Sequence, residues 1–211
     1  MINKDRVFVF GASGHAKVVI DIMEKQGVFE IACLFDDDAS LKGKSVFGYP
    51  VAGGKEELSR CGVKKGIVAI GSNAARKAVA DWLVTSGYEL VTAIHPSAEI
   101  ARGVTIGDNC VVMAGAVINS DCTIGNHVIV NTSASIDHDC FVADGVHVAP
   151  GATLCGTVKV GAGTFICAGA TVIPNLEVGS GVIVGAGSTV VGDLPDKVLV
   201  VSSPARVIKH I

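Results

Sequence analysis

From Ile94 onward the chain sets an aliphatic residue at every sixth position. The series runs Ile94, Ile100, Ile106, Val112 and onward to Val184 and Val190, with no insertion. Four residues after each comes a small or apolar one, as at Ala98, Cys110, Ala116, Cys122, Ala134, Cys140 and Ala152. A helical period of 3.6 cannot sustain a strict step of six, and a plain strand would alternate throughout. A short strand followed by a tight corner satisfies both positions of the repeat. Of the 15 glycines after residue 93, 13 fall one or three residues after the aliphatic position. The third position otherwise often holds Asn or Asp, as at Asn109, Asp121, Asp139 and Asn175, types that tolerate a positive φ. Three such sides close a triangular coil, and coils stacked ~4.8 Å apart make a prism. The pattern predicts a hexapeptide parallel β-helix over 94–195, followed by a C-terminal tail over 196–211.

Residues 1–93 follow a different pattern and predict a Rossmann-like α/β module. A strand Arg6–Phe10 leads through Gly11-Ala12-Ser13-Gly14-His15 into a helix, Ala16–Lys25. A second strand, Glu30–Phe35, ends in Asp36-Asp37-Asp38, and a third, Gly66–Ile70, ends in Gly71-Ser72-Asn73 before a helix from Ala74 to Thr85. Ligands bind at the carboxyl ends of such strands, and three polar strand ends converge here. The Gly11-x-x-Gly14 loop lacks the full dinucleotide fingerprint and the Lys-Ser/Thr of a P-loop. Ser13, Gly14 and His15, at a helix start, suit a phosphate. Asp36 and Asp37 suit a ribose hydroxyl or equally a solvated loop, and Gly71 stands at the third strand end of the candidate ligand site.

Composition sharpens the division. Residues 1–93 carry 23 charged residues and residues 94–195 only 10. Aromatics are 5% of the chain, so its 49% hydrophobic residues build a core mostly from small aliphatics. A net charge of −3 gives no reason to expect nucleic acid. The mean hydropathy of +0.53 arises without any continuous apolar span, so no membrane insertion is expected. The opening residues Met1–Arg6 lack a signal-peptide apolar run. Seven cysteines, an odd number with no Cys-x-x-Cys pair, read as reduced thiols of a cytoplasmic protein. Cys110, Cys122 and Cys140 take the small inward position, where thiols act as compact hydrophobes.

Sorting corners by coil places His138-Asp139 between Ser120-Asp121 and Gly156-Thr157 on one edge. Pro150-Gly151, Ala168-Gly169 and Ala186-Gly187 stack on another as a track of small residues, with His147 just before it. His127, His138 and His147 are separated by 11 and 9 residues, so no two stack on one edge. A three-histidine zinc site of the β-helical carbonic anhydrase kind is therefore a remote alternative, and no metal is expected.

Gly-x-Ser-Gly-His in a small α/β domain, joined to an uninterrupted prism, resembles the nucleotide-sugar and sialic-acid acetyltransferases of bacterial surface-glycan synthesis. Ile70-Gly71-Ser72-Asn73-x-x-Arg76, Asp137-His138-Asp139-Cys140 with His147 nine residues on, and Ser202-Ser203-Pro204-Ala205-Arg206 are similar to segments of that family. The family more often has Glu where Asp139 stands. The resemblance implies a left-handed β-helix and His138 as general base with Asp139 orienting it. It also implies acetyl-CoA held by His147, Ala168 and Ala186, and a UDP-linked 4-amino-4,6-dideoxy sugar as substrate. Alternatives are a sugar or sialic-acid O-acetyltransferase and a GDP-perosamine N-acetyltransferase. The histidine and the track lie on different edges of one triangle. A homotrimer is therefore expected, each site being completed by a neighbour.

Overall fold

A computed structural model describes residues 4–211 and resolves into two compact units, the first ending at Pro96 and the second beginning at Ser97. Met1–Asn3, part of the opening segment read above, lie outside the described residues.

The first unit holds β1 (Asp5–Phe10), α1 (Gly14–Gln26), β2 (Phe29–Phe35), β3 (Ser45–Val46), β4 (Tyr49–Gly53), α2 (Lys55–Leu58), β5 (Lys65–Val68), α3 (Asn73–Thr85), β6 (Glu89–Leu90) and β7 (Ala93–Ile94). Its sheet runs β3-β4-β2-β1-β5-β6, parallel except for the β3–β4 hairpin. Val7–Phe10 of the central β1 are all buried, as a continuous apolar run in a doubly covered parallel strand should be. The core gathers aromatic residues here: Phe8 packs edge-on against Tyr88 (ring centroids 5.4 Å apart) and Phe35 (6.0 Å). The three expected strands and two helices are present, with ends differing by one or two residues. The hairpin, the single-turn α2 and the two-residue strands were not foreseen.

In the second unit all of the repeat's aliphatic residues close a two-residue strand, from Glu99–Ile100 to Thr189–Val190. Strands 18 residues apart pair in parallel, as Ser135–Ile136 does with Val117–Ile118 and Thr153–Leu154. One face carries six such strands and another five. From Val112 to Val190 every repeat aliphatic is buried. All fifteen third positions from Gly103 to Gly187 have positive φ, among them Asp139 (59°) and Thr157 (63°), so the corners are the left-handed bends expected.

The inward cysteines do a second job. Their thiols donate to the carbonyl fifteen residues ahead: Cys110 to Gly125 (3.0 Å), Cys122 to Asp137 (2.9 Å) and Cys140 to Cys155 (3.2 Å). Burial pushes the Cys140 thiol up to about 12, which removes it as a nucleophile. Residues 196–211 form no separate tail. Val198–Val201 pairs in parallel with Ile183–Val184, and Arg206–His210 folds back antiparallel on it, so both extend the prism's third sheet.

Candidate active site

The strand ends of the first unit converge as expected. The Gly11 N–H donates to the Phe35 carbonyl (2.7 Å) and the Ala69 N–H to the Phe10 carbonyl (2.7 Å). Gly11 has φ +114°, and a Cβ there would stand 2.6 Å from the Ala69 carbonyl oxygen, so only glycine lets the three ends close up. Asp36 serves this loop directly. Its Oδ2 accepts from the Ala12 N–H (2.8 Å) and its Oδ1 from the Asp38 N–H (2.9 Å). Asp37 is an exposed partner of Lys55, whose ammonium stands 3.2 Å from its Oδ2. Both carboxylates thus have local work that the strand-end reading did not foresee.

Ser13 is the N-cap of α1, but its hydroxyl makes no capping bond, unlike Ser72, which accepts from the Ala75 N–H at the start of α3. The Ala16 N–H turns back to the Ser13 carbonyl (3.1 Å), and no side chain caps the first turn of α1. Arg76 explains the Ile70–Asn73 motif. Its fully buried guanidinium donates to the carbonyls of Ile70 (3.2 Å) and Gly71 (3.1 Å) and to Asn73 Oδ1 (2.9 Å), clamping the loop. Burial, and after it the Arg76 charge, pushes the His15 imidazole down to about 4, so this ring is neutral at working pH. Its buried Nε2 has no hydrogen-bond partner among the described residues.

The second unit presents His138 on a corner. The Asp139 N–H bonds to the Ser120 carbonyl (3.0 Å) and the Thr157 N–H to the His138 carbonyl (2.9 Å), which gives the stacking that the coil arithmetic expects. His138 Nδ1 stands 2.8 Å from Asp139 Oδ2, and both side chains are more than half exposed. An ionised carboxylate only accepts, so Nδ1 carries the hydrogen and Nε2 keeps its lone pair. The bond to Asp139, with the Asp137 charge beside it, raises the imidazole above its ordinary value. Asp137 is itself held low by the His138 N–H (2.9 Å) and by the Asn119 amide (2.9 Å). The Cys122 thiol fixes the Asp137 carbonyl, so this corner is tied from inside and outside.

His147 stands on a neighbouring face, its ring stacked on Phe165 (4.8 Å between centroids). The Thr132 N–H occupies Asn131 Oδ1 (2.8 Å), so the Asn131 amide nitrogen faces His147 Nε2 (3.0 Å). With the amide donating, Nε2 accepts, which favours the tautomer with its hydrogen on Nδ1. Beside it runs the small-residue edge: Gly169 N–H bonds to Pro150 and Gly187 N–H to Ala168, with Ala168 and Ala186 exposed. Open space lies where a Cβ would stand at Gly151, Gly169 and Gly187, and the residues beside them on this edge, Pro150, Ala168 and Ala186, are small. Among the described residues, no three His, Cys, Asp or Glu side chains stand together as a metal site.

Sequence reasoning missed Asn119 and Asn131. A signal existed, because from Ala101 onward the position directly after the repeat aliphatic is polar only at Asn119, Asn131 and Asp137. Each of the three bonds to the His138 corner or to His147.

Comparison with known proteins agrees with this layout. Residues 6–83 match the PglD N-terminal domain family. A UDP-N-acetylbacillosamine N-acetyltransferase of Bacillus subtilis (strain 168) is 37% identical over 110 residues, which are 51% of this chain and 51% of that protein. The match thus spans about half the length of that curated relative. The perosamine N-acetyltransferase of Caulobacter crescentus, solved as a mutant with CoA and GDP-perosamine, superposes with TM-score 0.91 at 38% identity, over 100% of this chain and 99% of that one. PerB of the same organism, solved with the same two ligands, gives TM-score 0.91 at 40% identity over 99% of both chains. The acetyltransferase domain of PglB from Neisseria gonorrhoeae, solved with acetyl coenzyme A, gives TM-score 0.91 at 36% identity, over 98% of this chain and 100% of that one. The likeness runs along both units, the α/β domain and the left-handed β-helix.

Proposed function

The chain belongs to the hexapeptide-repeat sugar acetyltransferases, and from that premise we propose that it moves the acetyl group of acetyl-CoA to a nucleotide-linked amino sugar. The acceptor is the 4-amino group of a UDP-linked 4-amino-4,6-dideoxy sugar, which makes the chain an N-acetyltransferase. The observation that carries this reading is the 2.8 Å pair of His138 Nδ1 and Asp139 Oδ2 on an exposed corner. Asp139 fixes the tautomer, and Nε2 accepts the proton from the attacking amine as the C–N bond forms. The tetrahedral adduct then expels the CoA thiolate, so no covalent enzyme intermediate is needed. A backbone N–H or His147 meets the charge on the thioester oxygen. The pantetheine arm lies along His147, Ala168 and Ala186, where the edge residues are small. Ser13, Gly14, His15 and Gly71 hold the nucleotide sugar, with Asp36 shaping the loop and Asp37 at its rim.

The assembly is a homotrimer, because the histidine and the track occupy different edges and a neighbour brings them together. A cytoplasmic location fits the need for acetyl-CoA and the seven free thiols. The similarity to the Caulobacter protein along the whole chain favours a second reading, GDP-perosamine as acceptor. Thiol release measured across UDP-, GDP- and dTDP-linked 4-amino sugars and sialic acid separates the two. Turnover is expected to be highest with the UDP sugar. A preference for the GDP sugar selects the second reading, and turnover only with sialic acid overturns N-transfer.

The raised imidazole sets the pH profile. Below its pKa the base is protonated and idle, so the acid limb of kcat/KM is expected above the usual histidine value of ~6.5. In Asp139→Asn the largest cause of the rise is lost. That limb should move to lower pH while kcat falls ~10-fold or more, since the base is also weaker and less well aimed. An unmoved limb would remove Asp139 from this role.

A further inference from the structure

We infer that Gly156 is a positioning residue for His138, kept free of a side chain so that the imidazole can lie across the next coil. The inference rests on the reading of His138 as the base. A Cβ built on Gly156 would stand 2.8 Å from both Cε1 and Nε2 of His138 and 3.4 Å from its Cδ2. Its three nearest neighbours all belong to that one ring, and Nε2 is the atom that takes the proton.

The backbone does not ask for glycine here. Gly156 lies outside the left-handed region, and the residue that makes the bend is Thr157. The same column of coil positions holds Arg102, Ser120, His138, Pro174 and Gly192, so four of its five other members carry a side chain. Gly156 is also one of two glycines after residue 93 that fall outside the repeat's glycine positions, the other being Gly192. A Cβ at Gly192 would meet nothing within 4 Å. One of these glycines is thus filled by the imidazole and the other is not.

A methyl group at Gly156 cannot share that space, and the ring is the part free to move. Turning the ring away breaks its bond to Asp139 and carries Nε2 off its line to the amine. A misplacement near 1 Å can cost ~10²-fold in rate. Gly156→Ala is therefore expected to lower kcat ~10²-fold, with the KM for acetyl-CoA and the Tm close to wild type. The His138 imidazole, followed by NMR titration, should fall back towards the ordinary histidine pKa. Gly192→Ala should behave as wild type.

The double variant decides the mechanism. Gly156→Ala added to His138→Ala should cost nothing further in kcat, because both act through one ring. If Gly156→Ala folds poorly, the double variant should regain wild-type Tm, since the ring that clashes is gone. Wild-type kcat in Gly156→Ala beside a crippled His138→Ala overturns the inference alone. So does an additive loss in the double variant, or a Tm that stays low there. Undiminished turnover in His138→Ala fails the underlying reading instead.

Discussion

Replacing His138 by alanine is expected to lower kcat by ~10²–10⁴-fold, the share of a barrier that a well-placed general base removes. The loss should fall on the chemical step, leaving the KM for acetyl-CoA nearly unchanged. The geometry gives the reason. The imidazole is more than half exposed and stands on a different edge from the small residues expected to carry the cofactor. Removing it therefore takes away a proton acceptor and little else. Calorimetry with CoA should give equal affinities for the two proteins, and single-turnover kinetics should show the slow step to be acetyl transfer. Most of the wild-type turnover surviving in His138→Ala would remove this residue from the mechanism.

Ala168→Trp is expected to weaken acetyl-CoA binding by ~10²-fold, about 2.7 kcal/mol at 25 °C. Ala168 is exposed, and at its neighbour Gly169 the space a Cβ would take is open. The indole would thus fill a channel and leave the core untouched. Nucleotide-sugar affinity should barely change, and equal loss of both affinities would make the edge structural. The same variant reports on assembly. Chains carrying His138→Ala mixed with chains carrying Ala168→Trp should recover some activity, because a few boundaries would pair one intact edge from each. A species of one chain's mass with full activity would sink the shared site.

What could be read from sequence follows from how tightly each position is constrained. A prism interior tolerates only branched aliphatics at one place and small residues at another, so the six-residue step survives in plain view. Corner geometry was legible where Asn, Asp or Gly stands, but His127, Ser133 and Thr157 take the same positive φ with no compositional sign of it. The β3–β4 hairpin was not legible, because strands of two and five residues are too short to show an alternation. Asp36 was read as a ligand group from its place at a strand end. Its carboxylate instead holds two backbone N–H groups, and sequence cannot say which neighbours a carboxylate will find. Arg76 appeared only as part of a motif, and its burial as a clamp needed the fold.

The unbroken register of the β-helix makes it behave like a reading frame. Each residue's edge is set by its count along the coil, so inserting one residue between Ile118 and Ile136 would rotate everything downstream out of phase with the coils before it. The Asn119–Asp137 bond, which spans one full coil, would be lost at once. Insertion of a whole coil would keep every residue on its own edge and only change its height. Length variation in proteins of this build should therefore come in multiples of eighteen residues within the coils, or as loops thrown out from a corner.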